Sequence, residues 1–235
     1  MAVHTEWKVL PHGPIERLAD NLWRVRGEIG SLPIGRVMTL ARRSDGDVVV
    51  HNAIALEEPL MAQIEAWGRP RYLVVPNGFH RLDAPVFAAR YPDARVLCPA
   101  RARKQVAKVV RVDGDYRDYP ADPDVALAHL DGTREREGVL DVRSADGTTL
   151  VVNDVLFNLP PQPGFKGWLL RIDAAVGRLR VPRASRLLLV ANRAAFRAHL
   201  ERLASRPDLR RVIVSHGDVV SEDAAAALHA AAAEL

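Results

Sequence analysis

Tyr72-Leu-Val-Val-Pro-Asn-Gly-Phe-His80 is the stretch from which the fold can be read. Its apolar residues run together without alternation, as in a strand buried on both faces. Proline and Asn-Gly then end the strand and open a loop that reaches His80. Upstream, residues 56–67 space Leu56, Leu60, Ile64 and Trp67 at helical intervals, with Gly68 as a stop. Downstream, residues 82–91 predict a helix with Pro85 in its first turn, where proline is tolerated. Arg95-Val-Leu-Cys98 follows as a short strand. Toward the N-terminus, Leu22-Trp-Arg-Val-Arg26, Arg36-Val-Met-Thr-Leu40 and Val48-Val-Val-His51 read as strands, with a turn at Ser44-Asp-Gly-Asp47.

The second half repeats this grammar. Residues 109–138 are polar and rich in Asp, Arg and Pro, and predict little beyond a strand carrying His129. A hairpin follows at Val139-Leu-Asp-Val-Arg143, Ser144-Ala-Asp-Gly147 and Thr149-Leu-Val-Val152, running directly into Asn153-Asp154. Pro160-Pro-Gln-Pro-Gly164 is expected as a rigid join near residues 159–167 between two halves of a single domain spanning 1–235. Residues 192–203 predict a helix opened by Asn192. Arg211-Val-Ile-Val214 is a buried strand leading to Ser215-His-Gly-Asp218. The Ala-rich tail reads as a helix capped at Ser221, with Glu222 and Asp223 in its first turn. Hairpins followed by strands alternating with helices imply sheets covered by helices, not a bundle or a pure β sandwich.

Composition narrows the function. A chain of 235 residues can bury a substantial core. No run approaches the ~18 apolar residues of a membrane span, and no membrane partner is expected. MAVHTEWKVL lacks the basic and apolar regions of a secretory signal. Cys98 is the single cysteine, so no intrachain disulfide can form, which fits a cytoplasmic protein. The net charge of +4 raises the question of nucleic acid. The basic residues are scattered, however, and the densest stretch, residues 101–111, reads as one solvated helix face without interleaved aromatics. Nucleic acid is therefore not the expected partner.

Three polar residues stand just beyond apolar strands: His80, Asp154 and His216. Strand ends present functional groups rigidly, and His, Asp and His are ligand types for zinc or iron. Each also has a plain reading: His80 as a helix cap, Asp154 as an acceptor for turn amides, His216 as a surface histidine. Ser215, His216 and Asp218 do not make a hydrolytic triad, because neighbours on a strand end point apart and no Gly-x-Ser-x-Gly elbow exists. Cys98 ends an apolar strand and is expected to pack as a small hydrophobe. Residues 160–168 suit either a substrate lid carrying Phe165 and Trp168 or a crossover with those rings tucked into the core.

The order of these elements resembles the metallo-β-lactamase superfamily from about residue 20 to the end. Tyr72 to His80 stands where that family has a strand and its Thr-His-x-His-x-Asp-His loop. Thr149-Leu-Val-Val-Asn-Asp-Val-Leu-Phe157 is similar to the strand that leads to its metal-bridging aspartate, and Val212-Ile-Val-Ser-His-Gly217 to the strand before its last histidine ligand. More narrowly, these segments resemble an uncharacterised subfamily carrying a domain of unknown function. The resemblance implies an α/β (α+β) fold, a four-layer αββα sandwich. It implies His80, Asp154 and His216 as ligands of one Zn, Fe or Mn ion, or a decayed site with none. It assigns Asp154 to catalysis and Asn77 to orienting water or substrate, in hydrolysis of an unidentified small molecule. Phe79, Arg81 and Leu82 replace ligands of the first motif, and His51-Asn52 replaces an aspartate. The next family histidine, due between residues 128 and 138, has no clear counterpart; His129, Thr133 and Glu135 stand nearby, His129 as ligand or as cross-strand packing. The alternative is a metal-free member of the fold that binds a ligand or partner.

Overall fold

The computed structural model describes residues 3–30 and 32–235. β1 (Glu16–Ala19), β2 (Leu22–Ile29), β3 (Leu32–Arg42), β4 (Asp47–His51), β5 (Arg69–Val74) and β6 (Arg95–Leu97) form a six-stranded sheet in chain order. β1 to β4 pair antiparallel, and β4, β5 and β6 run parallel. α1 (Glu58–Trp67) and α2 (Ala84–Arg90) are the crossovers that parallel pairing requires. The short α3 (Arg103–Val106) precedes a four-stranded sheet of β7 (Val125–His129), β8 (Gly138–Ser144), β9 (Gly147–Val152) and β10 (Leu209–Val214), ordered β10-β9-β8-β7. Between β9 and β10 the chain forms α4 (Gly164–Ile172), α5 (Arg183–Leu188) and α6 (Arg193–Ala204), and α7 (Ala224–Ala233) follows β10. β10 joins β9 in parallel.

Side-chain alternation turns these sheets into layers. Val49, Val74 and Leu97 of the first sheet pack against Leu140, Val151 and Ile213 of the second, forming the sandwich interior. Their neighbours Val48, Val50 and Leu73 face the opposite way, toward Met61 and Ile64 of α1 and Phe87 of α2. On the other sheet Leu150, Val152, Val212 and Val214 face Phe196 and Leu200 of α6 and Leu228 of α7. The strands therefore need apolar residues on both faces, which is why they read as continuous runs. The expected four layers, αββα, follow from this packing.

Several expectations are corrected. The chain passes between sheets in residues 98–124, not near residues 159–167. The basic residues of 101–111 are exposed as expected, but the helix that carries them covers only Arg103–Val106 and not the whole stretch. Residues 164–172 are helical, and Phe165 and Trp168 stand in solvent with rings stacked at 5.6 Å instead of tucked into the core. The last helix is capped by Asp223, whose side chain accepts from the Ala226 amide, not by Ser221.

Candidate metal centre

Four strand ends meet at one edge of the sandwich: β4 and β5 from the first sheet, β9 and β10 from the second. Beyond β5, Asn77 Oδ1 accepts from the amides of Phe79 (2.8 Å) and His80 (3.2 Å), closing an Asx-type turn that aims His80 inward. Asn52, just past β4, has a left-handed φ of 59° that asparagine tolerates well. Its Nδ2 donates to the Val37 carbonyl at 2.8 Å, which turns Oδ1 toward His80 Nδ1 at 3.0 Å. His216 Nδ1 faces the carbonyl of Gly35 at 2.7 Å. After His216 the chain needs glycine: at Gly217 φ is +119° and a Cβ would lie 2.1 Å from the Asn158 carbonyl oxygen.

These contacts fix the tautomers. Both Nδ1 atoms face oxygens that only accept, so both carry a proton, and Nε2 is the ring atom that each turns inward. The two Nε2 atoms are 3.3 Å apart, and Asp154 Oδ1 lies 2.9 Å from His80 Nε2 and 3.1 Å from His216 Nε2. The side chains of His80, Asp154 and His216 are only 7%, 15% and 4% exposed, so water does little to screen the three electron-rich atoms. Two imidazolium rings at this spacing would repel by about 5 kcal/mol at an effective dielectric of about 20. A single proton can serve one edge of the triangle; one metal ion serves all three. The edges also match the roughly 3.3 Å that separates ligands around tetrahedral zinc with bonds of about 2.0–2.1 Å. Among the described residues, this is the group of His, Cys, Asp and Glu side chains whose ligand atoms converge.

Around the triangle lies a hydrogen-bonded frame. Asn77 Nδ2 donates to Asp154 Oδ2 and to Glu137 Oε1, both at 2.7 Å. With its oxygen on two backbone amides, Asn77 has no hydrogen left for a water, so its influence passes through Asp154. Burial alone would raise the Asp154 carboxyl, but a proton at Nε2 of His80 or His216, present when no metal is bound, supplies charge and a hydrogen bond that outweigh it and hold the group well below the usual carboxylate range. Glu137 is the reverse case. Fully buried and facing the Asp154 charge, its carboxyl is pushed well above the ordinary value, which favours its protonated form. Burial also lowers His51, to about 3, with His80 adding to the effect.

The other candidates lie elsewhere. His129 Nε2 accepts from the Ala100 amide at 3.2 Å while its ring stacks on Tyr116, the packing role and not the ligand role. Thr133 is buried with its hydroxyl on the Leu130 carbonyl, and Glu135 pairs with Arg117 at the surface. Ser215 hydrogen-bonds Asn153, and Asp218 pairs with Arg26, so neither forms a relay with His216. Burial pushes the Cys98 thiol up to about 12, unsuited to a nucleophile. Glu137 is the residue that sequence reading misses; its one signal is an acid placed directly before a buried strand.

All three triangle residues line a cavity of about 210 Å³, with Ile29, Ile34, Leu82, Phe157 and Leu189 among its other walls. Arg36 also faces it, 4% exposed and paired through Nη2 with Asp83 Oδ2 at 2.6 Å.

No family model matches the chain, and no curated protein sequence does. Solved structures do. DIM-1 metallo-β-lactamase superposes with a TM-score of 0.63 at 11% identity, covering 97% of this chain and 99% of that one. FIM-1 from Pseudomonas aeruginosa, in its mono-zinc form, gives 0.61 at 12%, covering 97% of each chain. A metallo-β-lactamase from Hirschia baltica gives 0.58 at 13%, covering 94% and 98%. This chain has the metallo-β-lactamase fold. Such identities establish the fold and nothing about substrate. Within this fold the His-Asp-His triangle sits at strand ends of both sheets, with the side-chain amides of Asn52 and Asn77 beside it.

Proposed function

We propose that the protein is a metal-dependent hydrolase with a mononuclear site made by His80, Asp154 and His216. The observation that carries this reading is the convergence of three inward lone pairs, two of them fixed by tautomer-setting partners. A divalent ion there would supply Lewis acidity toward a substrate oxygen. The protein's own groups do the rest. Asn52 and Gly35 hold the two rings in register, and Asn77 holds the free oxygen of Asp154. With Glu137 raised and Asp154 lowered, Asp154 is the carboxylate that offsets the ion's charge. Apolar walls exclude water around the triangle, and a cavity of about 210 Å³ suits a small, mainly apolar molecule with one hydrolysable group.

A second reading, a metal-free member of the fold that binds a ligand, draws support from the amides of Asn52 and Asn77 standing beside the triangle in place of more ligands. Metal content separates the two. Elemental mass spectrometry on protein purified without chelator is expected to find near one equivalent of zinc, iron or manganese, lost in Asp154→Ala. The loaded protein is then expected to hydrolyse members of a panel of small esters, thioesters and lactones. Absence of metal after reconstitution refutes the enzyme reading in favour of the binder.

A further inference from the structure

α4 carries its apolar residues on the outside. Phe165, Trp168, Leu169 and Ile172 follow helical spacing on one face, and all four are between 45% and 71% exposed. Gly167 is the buried residue of that helix. α5 hangs from the same point, because Asp173 at the end of α4 accepts from Ala184 and Arg183 amides through its side chain and carbonyl. Leu187 and Leu188 of α5 are 80% and 57% exposed. Monomeric surfaces seldom leave so many large apolar side chains in water without a partner.

The surrounding charge identifies that partner. Residues 160–197 contain Lys166 and seven arginines against one acid, Asp173. Arg178, Arg180, Arg183 and Arg186 line a cavity of about 330 Å³ with Glu234 as its acid. Glu234 pairs with Arg178 and Arg180. Arg183 and Arg186 have no acidic partner among the described residues, and Arg186 Nε is buried without a hydrogen-bond acceptor. A second copy docked by a two-fold axis would set this basic rim against itself. An anionic lipid surface neutralises it and takes the aromatic face.

We propose that the α4–α5 face docks the protein on anionic phospholipid bilayers, with Phe165, Trp168, Leu169 and Ile172 at the acyl boundary and the arginine cavity on headgroup phosphate. No helix among the described residues is long and apolar enough to cross a membrane, and none is needed, since α4 lies flat in the interface. The absence of a long apolar run rules out a spanning helix but not a helix lying in the interface. Leu188 and Phe79, both well exposed, also line the cavity over the His-Asp-His triangle, which places that cavity's mouth beside the docking face. The surface stands independently of whether the triangle binds metal.

The test is flotation of the full chain with vesicles of phosphatidylcholine alone and of phosphatidylcholine with one quarter phosphatidylglycerol. Binding is expected only with phosphatidylglycerol, and it weakens as salt rises. Arg183→Glu changes two charges at an exposed position and is expected to lower partitioning about 30-fold, from about fivefold per charge. Phe165→Ser with Trp168→Ser is expected to abolish flotation and the vesicle-induced blue shift of Trp168 fluorescence. Both variants alter exposed side chains, and circular dichroism verifies that they fold. Failure to float, equal flotation on neutral vesicles, or binding of inorganic phosphate without flotation overturns the proposal. So does a concentration-dependent dimer in light scattering that Trp168→Ser abolishes, because the face then belongs to a second copy.

Discussion

Replacing Glu137 by Gln tests the electrostatic frame behind the site. In the folded protein Glu137 is fully buried and faces Asp154, and burial first, then that charge, raises its carboxyl well above the ordinary 4.5. The folded chain therefore holds this proton to higher pH than the unfolded chain does. A raised folded value means that the group's contribution is fully present below about pH 4.5 and is lost as pH climbs toward the folded value. Between the unfolded and folded values the loss is up to about 1.4 kcal/mol per pH unit. Glutamine matches the neutral acid in shape and can still accept from Asn77, but it does not titrate. Glu137→Gln is therefore expected to gain on the wild type as pH rises above 4.5, by up to about 1.4 kcal/mol per pH unit. Urea denaturation of both metal-stripped proteins at a series of pH values measures this as a widening gap in midpoint at constant slope. Stripping matters because a cation beside Asp154 favours the ionised acid. A gap that stays flat with pH would refute the reasoning, because Glu137 would then be ionised in the folded state.

His51 works in the opposite direction: burial lowers it from 6.5 to about 3, so its contribution is present above 6.5 and is lost as pH falls toward 3. His51→Gln is expected to flatten the acid side of the stability curve by up to about 1.4 kcal/mol per pH unit, again by urea midpoints. Asn52→Gly keeps the left-handed backbone but removes the oxygen that holds His80 Nδ1; zinc affinity, measured against a competing chelator, is expected to fall about 10–100-fold. Asp83→Ala leaves Arg36 buried without its carboxylate and is expected to cost about 3–5 kcal/mol in denaturant unfolding. Arg36→Met in the same chain is expected to recover part of that loss.

The layers were legible because strands packed on both faces must be apolar throughout. Tyr72 to Val75 and Val212 to Val214 carry that signal, and Val49 against Val48 and Val50 shows the alternation it conceals. His80, Asp154 and His216 were legible because each follows such a strand. Glu137 was not, since it sits in a polar stretch where a buried acid and a solvated one look alike. The partners that set the ring tautomers, Asn52 and the Gly35 carbonyl, come from distant strands, and no local spacing announces them. α4 and α5 were hidden by Pro160, Pro161 and Pro163, which end before α4 begins, and by Gly167 inside it. Nothing in their apolar spacing distinguishes a core-facing stripe from an exposed one.

The measurement closest to the central claim is histidine side-chain nitrogen NMR on metal-stripped protein titrated with zinc. The geometry predicts that Nδ1 of His80 and of His216 stays protonated throughout, while both Nε2 resonances shift together and saturate at one equivalent. His51 and His129 are expected to remain unchanged. Unmoved Nε2 resonances at saturating zinc, or zinc seated on Nδ1, would contradict the account.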